Sequence, residues 1–296
     1  MKLGFIGLGK MGKGLVLNMR EKGIEVLSWN RTPNDVSNVA SIEEMVKQLE
    51  PGKRVIWLMV MSTATDQILS QLKPLLTSGD LVIDGGNVFY KDDLRRGEEM
   101  AKLGIKYMDI GVSGGPKGAR EGACLMIGGD KEKYEELKDL WEAISSPNAY
   151  EYFGSVGAGH FAKMVHNGIE YGMMQAIAEG AAIMKASQFN FNLADVFKLY
   201  NNRSVIESRL VGWVQEAFVE NPELSETSSQ IGHLGEGEWT AKTAKELGIE
   251  APVIQASFDV RIKSIDEPEN FRNKVVSALR GKFGGHKVGK GDLTLL

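Results

Sequence analysis

Short apolar runs alternate with amphipathic segments through the first half of this chain, and the alternation stops near residue 157. The runs at residues 2–6, 25–29, 54–61, 80–84, 106–111 and 123–127 have strand character, and several are apolar at almost every position. A strand reads that way when both of its faces are buried, as parallel strands covered by helices are. Between them, residues 12–22, 41–48, 64–76, 91–103 and 131–144 carry helical spacing. This βα repeat predicts an α/β fold with an open, doubly wound sheet of Rossmann type. Beyond residue 157 only helical spacing is found, at 159–186, 193–200, 205–219, 240–246, 253–262 and 271–280. The expected organisation is a Rossmann domain over residues 1–155 and an all-helical domain over residues 156–296.

Charge and cysteine content remove several classes of function. In 296 residues, 35 Lys and Arg stand against 39 Asp and Glu, a net charge of −4 that argues against a phosphate-backbone partner such as nucleic acid. One cysteine, Cys124, cannot build a disulfide framework, and with only 4 His a His/Cys metal cluster is not expected. The chain therefore reads as reduced and cytoplasmic. No apolar run approaches the roughly 20 residues of a membrane span, and the opening residues read as a first strand, not as a signal peptide.

The first βα turn carries Gly7-Leu8-Gly9-Lys10-Met11-Gly12, a G-x-G-x-x-G that directly follows a strand and opens a helix. Such a turn needs Gly7 to bend tightly, Gly9 to let the backbone approach a pyrophosphate and Gly12 to pack helix on strand. Its amides then face the phosphate charge at the helix N-terminus. The second strand ends in Trp29-Asn30-Arg31-Thr32, with no carboxylate before Asp35. A carboxylate there would bind a ribose 2′-hydroxyl, whereas Arg31 and Thr32 offer donors to a 2′-phosphate, so NADP is favoured with NAD still open.

Residues 157–171 are the richest segment. Lys163, His166, Asn167 and Glu170 fall at i, i+3, i+4 and i+7 and share one helix face, while Phe161, Ala162, Met164, Val165 and Ile169 flank it with apolar surface. A polar stripe inside an apolar helix suits a cleft better than bulk water. A lysine there loses ammonium stability by desolvation and can serve as a base near neutral pH. Gly168 and Gly172 allow another backbone or a ligand to come close. Two more turns follow strands, Asp84-Gly85-Gly86-Asn87 and Gly111-Val112-Ser113-Gly114-Gly115-Pro116, at the end of the sheet where α/β folds place ligands.

With these motifs the chain resembles the β-hydroxyacid dehydrogenase superfamily and, within it, the decarboxylating 6-phosphogluconate dehydrogenase family in a short form. The stretch Lys163-Met164-Val165-His166-Asn167-Gly168-Ile169-Glu170-Tyr171 is similar to that family's catalytic helix, and Phe283-Gly284-Gly285-His286 to a tail motif that reaches a neighbouring subunit's site. The resemblance implies Lys163 and Glu170 as the catalytic pair. It implies a cofactor site of Gly7, Leu8, Gly9, Lys10, Met11, Gly12, Asn30, Arg31, Thr32, Val60, Met61 and Asn87. It implies a sugar-acid site of Asn87, Ser113, Gly114, Gly115, His166, Asn167, Tyr171 and His286, no metal, and a homodimer or homotetramer. In the implied reaction Lys163 takes the proton of the C3 hydroxyl as hydride leaves C3, the β-keto acid loses CO₂, and Glu170 protonates C1 of the enediol.

Two positions depart from the family pattern. Glu207 and Glu238 stand where cations associated with the substrate phosphate are common. If both line the pocket, they favour a hydroxyl over a phosphate dianion; if they face solvent or pair with Arg203 and Arg209, 6-phosphogluconate remains the expected substrate. The alternatives are an unphosphorylated sugar acid such as gluconate, a non-decarboxylating hydroxyisobutyrate-type dehydrogenase and a non-catalytic dinucleotide sensor.

Overall fold

The computed structural model describes residues 1–233, 235–267 and 269–285, and packing divides the chain into two compact units, Met1–Lys163 and Met164–Leu296. The first unit holds a seven-stranded sheet in the order β2-β1-β3-β4-β5-β6-β7. Its strands are β1 (Lys2–Ile6), β2 (Glu25–Trp29), β3 (Val55–Leu58), β4 (Leu81–Asp84), β5 (Lys106–Ser113), β6 (Ala123–Gly129) and β7 (Ser145–Gly154). The strand order reverses between β1 and β3, and β1 to β5 pair in parallel. Helices α1 (Lys10–Glu21), α2 (Ile42–Lys47), α3 (Ser62–Leu72) and α4 (Tyr90–Ala101) connect them.

Alternate residues of each central strand enter different cores. Val55 and Trp57 pack with Leu3, Phe5 and Trp141, whereas Ile56 and Leu58 pack with Ile6, Ile42 and Leu69. Two buried faces are why these strands read as unbroken apolar runs.

The sheet departs from the sequence reading in four places. The run read as 54–61 is regular only to Leu58, and beyond it Met61 makes an isolated bridge to Asn87. β5 and β6 are antiparallel, joined by α5 (Gly115–Glu121), a helix read as a plain turn because it opens on Gly114, Gly115 and Pro116. The segment read as one helix is broken at Leu137 into α6 (Lys131–Glu136) and α7 (Lys138–Ile144). β7 was missed because none of its residues is fully buried and it opens on Ser145-Ser146-Pro147-Asn148, with no sustained period-2 alternation of apolar side chains.

Among the described residues the second unit has no strand. It continues α8 (Ala158–Ala186) and adds α9 (Leu193–Tyr200), α10 (Arg209–Glu220), α11 (Glu236–Glu246), α12 (Pro252–Lys263) and α13 (Phe271–Gly284). Its core gathers Met174, Ala178, Phe197, Val211, Val214, Phe218, Val275 and Leu279. α10 begins later than the spacing suggested because the Ser208 hydroxyl accepts the Val211 N–H and caps it there. None of the described helices is long and apolar enough to cross a membrane.

Candidate active site

The first βα turn has the shape that a dinucleotide phosphate needs. Gly7 sits at φ +102°, and a Cβ there would lie 2.4 Å from the Met59 carbonyl oxygen. At Gly12 a Cβ would meet the Gly7 oxygen at 2.0 Å, so helix and turn touch through bare backbone. Gly9 is the opposite case: it is exposed, with nothing within 4 Å of its Cβ position, and it caps α1 with no side chain on the helix N-terminus. An open, uncapped N-terminus beside a glycine fits a pyrophosphate. Lys10 is exposed and Met11 half-buried on the first turn of α1.

The end of β2 braces this turn. Asn30 Oδ1 accepts the Leu8 N–H at 2.9 Å, its Nδ2 donates to the Thr32 carbonyl at 2.7 Å, and Asn34 Nδ2 donates to the Leu8 carbonyl at 3.2 Å. Arg31 and Thr32 are exposed, and Asp35, the nearest carboxylate, is held by Lys13 at 2.7 Å. Val60 is half-buried after β3, and the Met61–Asn87 bridge ties the β3 and β4 ends together.

Ser113 ends β5 opposite Cys124, and Gly114 (φ +118°) and Gly115 (φ +66°) turn the chain into α5. Glycine also seats the start of α8 on β5 and β6. A Cβ on Gly111 would lie 2.4 Å from Lys163 Cβ, and one on Gly159 would lie 2.5 Å from the carbonyl oxygens of Asp109 and Met126. Asp109, fully buried, accepts the Gly157 and His160 N–H groups at 2.7 Å each and so caps the helix.

Further along α8 the polar face is connected side chain to side chain. His166 Nδ1 lies 2.9 Å from Asn167 Oδ1 and 3.8 Å from a Glu170 carboxylate oxygen. Asn167 Nδ2 donates to Glu236 Oε1 at 3.3 Å. Gly168 lets α11 approach: the Thr240 hydroxyl donates to the Met164 carbonyl at 2.7 Å, and a Cβ on Gly168 would clash with Thr240 at 2.6 Å. Lys163 and Glu170 are two turns apart, about 10 Å along the helix axis.

The sequence reading did not identify the cations beside this face. The guanidinium carbon of Arg261, from α12, lies 3.3 Å from the centre of the Tyr171 ring; Arg261 is 2% exposed, and its buried Nη2 has no hydrogen-bond partner among the described residues. Burial pushes Arg261 down to about 10 and Tyr171 up to about 12. Arg280 of α13 is also lowered by burial, with Tyr171, Glu236 and Glu170 opposing the shift. An arginine between Val260 and Ile262 was the only sequence hint, and it points nowhere until the helices pack. Glu207 and Glu238 are both exposed, and Glu207 accepts the Arg203 backbone N–H at 2.9 Å. His286 lies outside the described residues.

The comparisons with known proteins agree across the chain. The NAD binding domain of 6-phosphogluconate dehydrogenase matches residues 2–159, and the C-terminal domain of 6-phosphogluconate dehydrogenase matches residues 159–291. The YqeC protein of Bacillus subtilis is 40% identical over 98% of this chain and 100% of its own length. The NAD(+)-dependent, decarboxylating 6-phosphogluconate dehydrogenase of Haloferax volcanii is 36% identical over 99% of this chain and 100% of that enzyme. Plasmodium falciparum 6-phosphogluconate dehydrogenase, solved in its apo form, with NADP+ and with 6-phosphogluconate, superposes with a TM-score of 0.79 at 29% identity, covering 94% of this chain and 70% of that one.

Proposed function

Since this chain belongs to the 6-phosphogluconate dehydrogenase family of NAD(P)-dependent decarboxylating oxidoreductases, we propose that it oxidises and decarboxylates 6-phosphogluconate itself, to ribulose 5-phosphate, with NADP. The observation that carries the phosphorylated substrate is Arg261. A buried guanidinium with an unused N–H, backed by Arg280 and stacked on Tyr171, is costly unless an anion completes it. The two glutamates that argued against a phosphate are solvent-exposed, where their repulsion is screened. A buried carboxylate, Glu236, does stand beside Asn167, and it is the feature that favours an unphosphorylated sugar acid.

In the proposed reaction the nicotinamide, when bound, supplies the hydride acceptor. Gly7, Gly9 and Gly12 with the α1 N-terminus would hold the pyrophosphate, Val60, Met61 and Asn87 would flank the cofactor, and Arg31 with Thr32 would take the 2′-phosphate. Lys163, neutral at the start, accepts the C3 hydroxyl proton. As an ammonium it then polarises the C3 ketone, so the electrons released with CO₂ are stabilised as an enediolate. Glu170 donates the proton to C1. Asn87, Ser113, Gly114, Gly115, His166 and Asn167 would orient the carboxylate and hydroxyls, and Tyr171 the far end. The reading includes a cytoplasmic homodimer or homotetramer: Ile169, Met173 and Ile183, exposed on α8, supply apolar surface for a second copy, whose His286 would complete the site.

The test compares 6-phosphogluconate with gluconate, following cofactor reduction and CO₂ release, in wild type and in Arg261→Gln. The expected result is a loss of kcat/KM on the order of 10- to 100-fold for the phosphorylated acid alone, the weight of one charge-assisted contact. Equal losses for both acids, or a wild type that prefers gluconate, would overturn the assignment.

A further inference from the structure

A chain of buried polar groups with no role in the reaction above runs through the first unit. On β4, Asp84 accepts the Gly86 N–H at 3.0 Å, within the turn that carries Asn87. The Tyr107 hydroxyl lies 3.2 Å from Asp84 Oδ2 and 3.1 Å from Asp93 Oδ1. The other oxygen of Asp93 lies 2.8 Å from His160 Nδ1, and the His160 backbone N–H is one of the two that Asp109 holds. Asp84, Asp93 and Asp109 are 0% exposed and His160 2%. Arg96 Nη1 stands 3.5 Å from Asp84.

The grouping is not a ready-made cation site. The donor atoms of Asp93, Asp109 and His160 lie within 4.8 Å of one another, but all four carboxylate oxygens are already hydrogen-bonded, to Tyr107, His160 and the backbone of Gly157 and His160. What the cluster does hold is the start of α8. His160 is one turn before Lys163 and projects from the same face. Burial alone would push the imidazole down, but Asp93, Asp109 and Asp84 outweigh it and carry it up, and Asp93, at 2.8 Å, is its nearest partner.

Besides the Asp109 cap and the edge-on contact of Phe161 with Tyr90 at 5.0 Å, the start of α8 meets the sheet through close backbone approaches. Gly111, Gly128 and Gly159 bring its backbone against β5 and β6 without a side chain between them. Bare glycine contacts set the distance of a helix from a sheet, but they resist turning and sliding weakly because nothing interdigitates. A side chain anchored by a charge-assisted hydrogen bond on one helix face does resist both.

We propose that the Asp93–His160 pair is a positioning element for Lys163, setting the rotation and height of the first turns of α8, and that Tyr107 and Asp84 couple that setting to the Asn87 turn. The proposal rests on the reading of Lys163 as the base. It predicts loss in the chemical step, because a catalytic group displaced by about 1 Å costs on the order of 10²-fold in rate.

The experiment measures kcat, KM for 6-phosphogluconate, Kd for NADP and Tm in four variants. These are His160→Leu, His160→Gln, the double variant Asp93→Asn with His160→Leu, and Lys163→Met. His160→Leu should lower kcat roughly 10- to 100-fold while KM and Kd change less than about 3-fold. His160→Gln, which keeps a donor toward Asp93, should recover most of kcat. The double variant removes the buried uncompensated carboxylate, so it should regain Tm without regaining kcat. Wild-type kcat in the double variant, or parallel changes in kcat, KM and Kd that track Tm, would reduce the pair to a structural role. Turnover in Lys163→Met would instead overturn the assignment of the base, a result distinguishable from either.

Discussion

Adding one methyl group at Gly111 should separate catalysis from folding in a measurable way. The new Cβ would lie 2.4 Å from Lys163 Cβ, 3.0 Å from its Cγ and 3.1 Å from the Gly159 carbonyl oxygen. Carbon atoms rest at about 3.5 Å, so the first contact is roughly 1 Å too close. Two of the three atoms belong to the Lys163 stem, and the third is backbone, so the least costly relief is to move the start of α8 away from β5. Overpacking of this size costs typically 1–3 kcal/mol, which in a chain of this length lowers Tm by about 2–10 °C. A displacement near 1 Å of Lys163, the proposed base, costs on the order of 10²-fold in the chemical step. Gly111→Ala should therefore remain folded well above assay temperature and lose hydride transfer far beyond what its Tm implies. Single-turnover reduction of the cofactor at saturating sugar acid measures this directly. Gly9→Ala is the matched control, because its Cβ meets nothing within 4 Å. That variant should keep its Tm and lose dinucleotide affinity. Wild-type single-turnover rates in Gly111→Ala would refute the reasoning, since the backbone could then absorb the methyl without moving Lys163.

Other perturbations have equally definite outcomes. Arg31→Ala should weaken NADP on the order of 10- to 100-fold and NAD hardly at all; equal losses by equilibrium titration would make Arg31 structural. Glu170→Gln should slow CO₂-coupled turnover by about 10²- to 10⁴-fold with cofactor affinity unchanged, and a wild-type rate would assign the acid elsewhere. Glu207→Arg should leave kcat/KM for 6-phosphogluconate within about 2-fold, because Glu207 is exposed; a large gain would place a repulsive carboxylate in the pocket. Asp66 is held down to about 2 by its hydrogen bond from Arg96, helped by Arg95 and opposed by burial. A carboxyl with a depressed folded value stabilises above its unfolded value near 4, and that stability is lost as pH falls toward 2. Asp66→Asn should remove less than about 1 kcal/mol of pH-dependent stability in that window, given that Asp66 is more than half exposed; an unaltered stability–pH curve would show that its ion pairs contribute nothing.

What the sequence determined by itself was carried by local pattern. A period of two interrupted by a period of 3.6 is a property of adjacent residues, so the doubly wound first half and the helical second half were legible without a structure. β1, β2 and α9 fall on the residues expected of them. The glycine turn was legible because its motif is local, Gly12 meeting the oxygen of Gly7 five residues earlier, whereas the Met59 oxygen that crowds Gly7 arrives only with β3. The shared face of Lys163, His166, Asn167 and Glu170 follows from helix geometry alone. Tertiary structure decided whatever depends on residues remote in sequence. β7, the edge strand, has no fully buried residue and joins the sheet through backbone pairing with β6, which leaves little side-chain signature. The antiparallel turn of β5 into β6 depends on Gly114, Gly115 and Pro116 opening a short helix instead of a loop. Arg261 and Arg280 come to Tyr171 only when α12 and α13 fold back on α8, and the Asp93–His160 pair forms only when α8 crosses β5 at Gly111. Periodicity says which face of an element is buried; it cannot say which distant charge is buried opposite, because that is set by packing, where desolvation makes each unpaired polar atom costly.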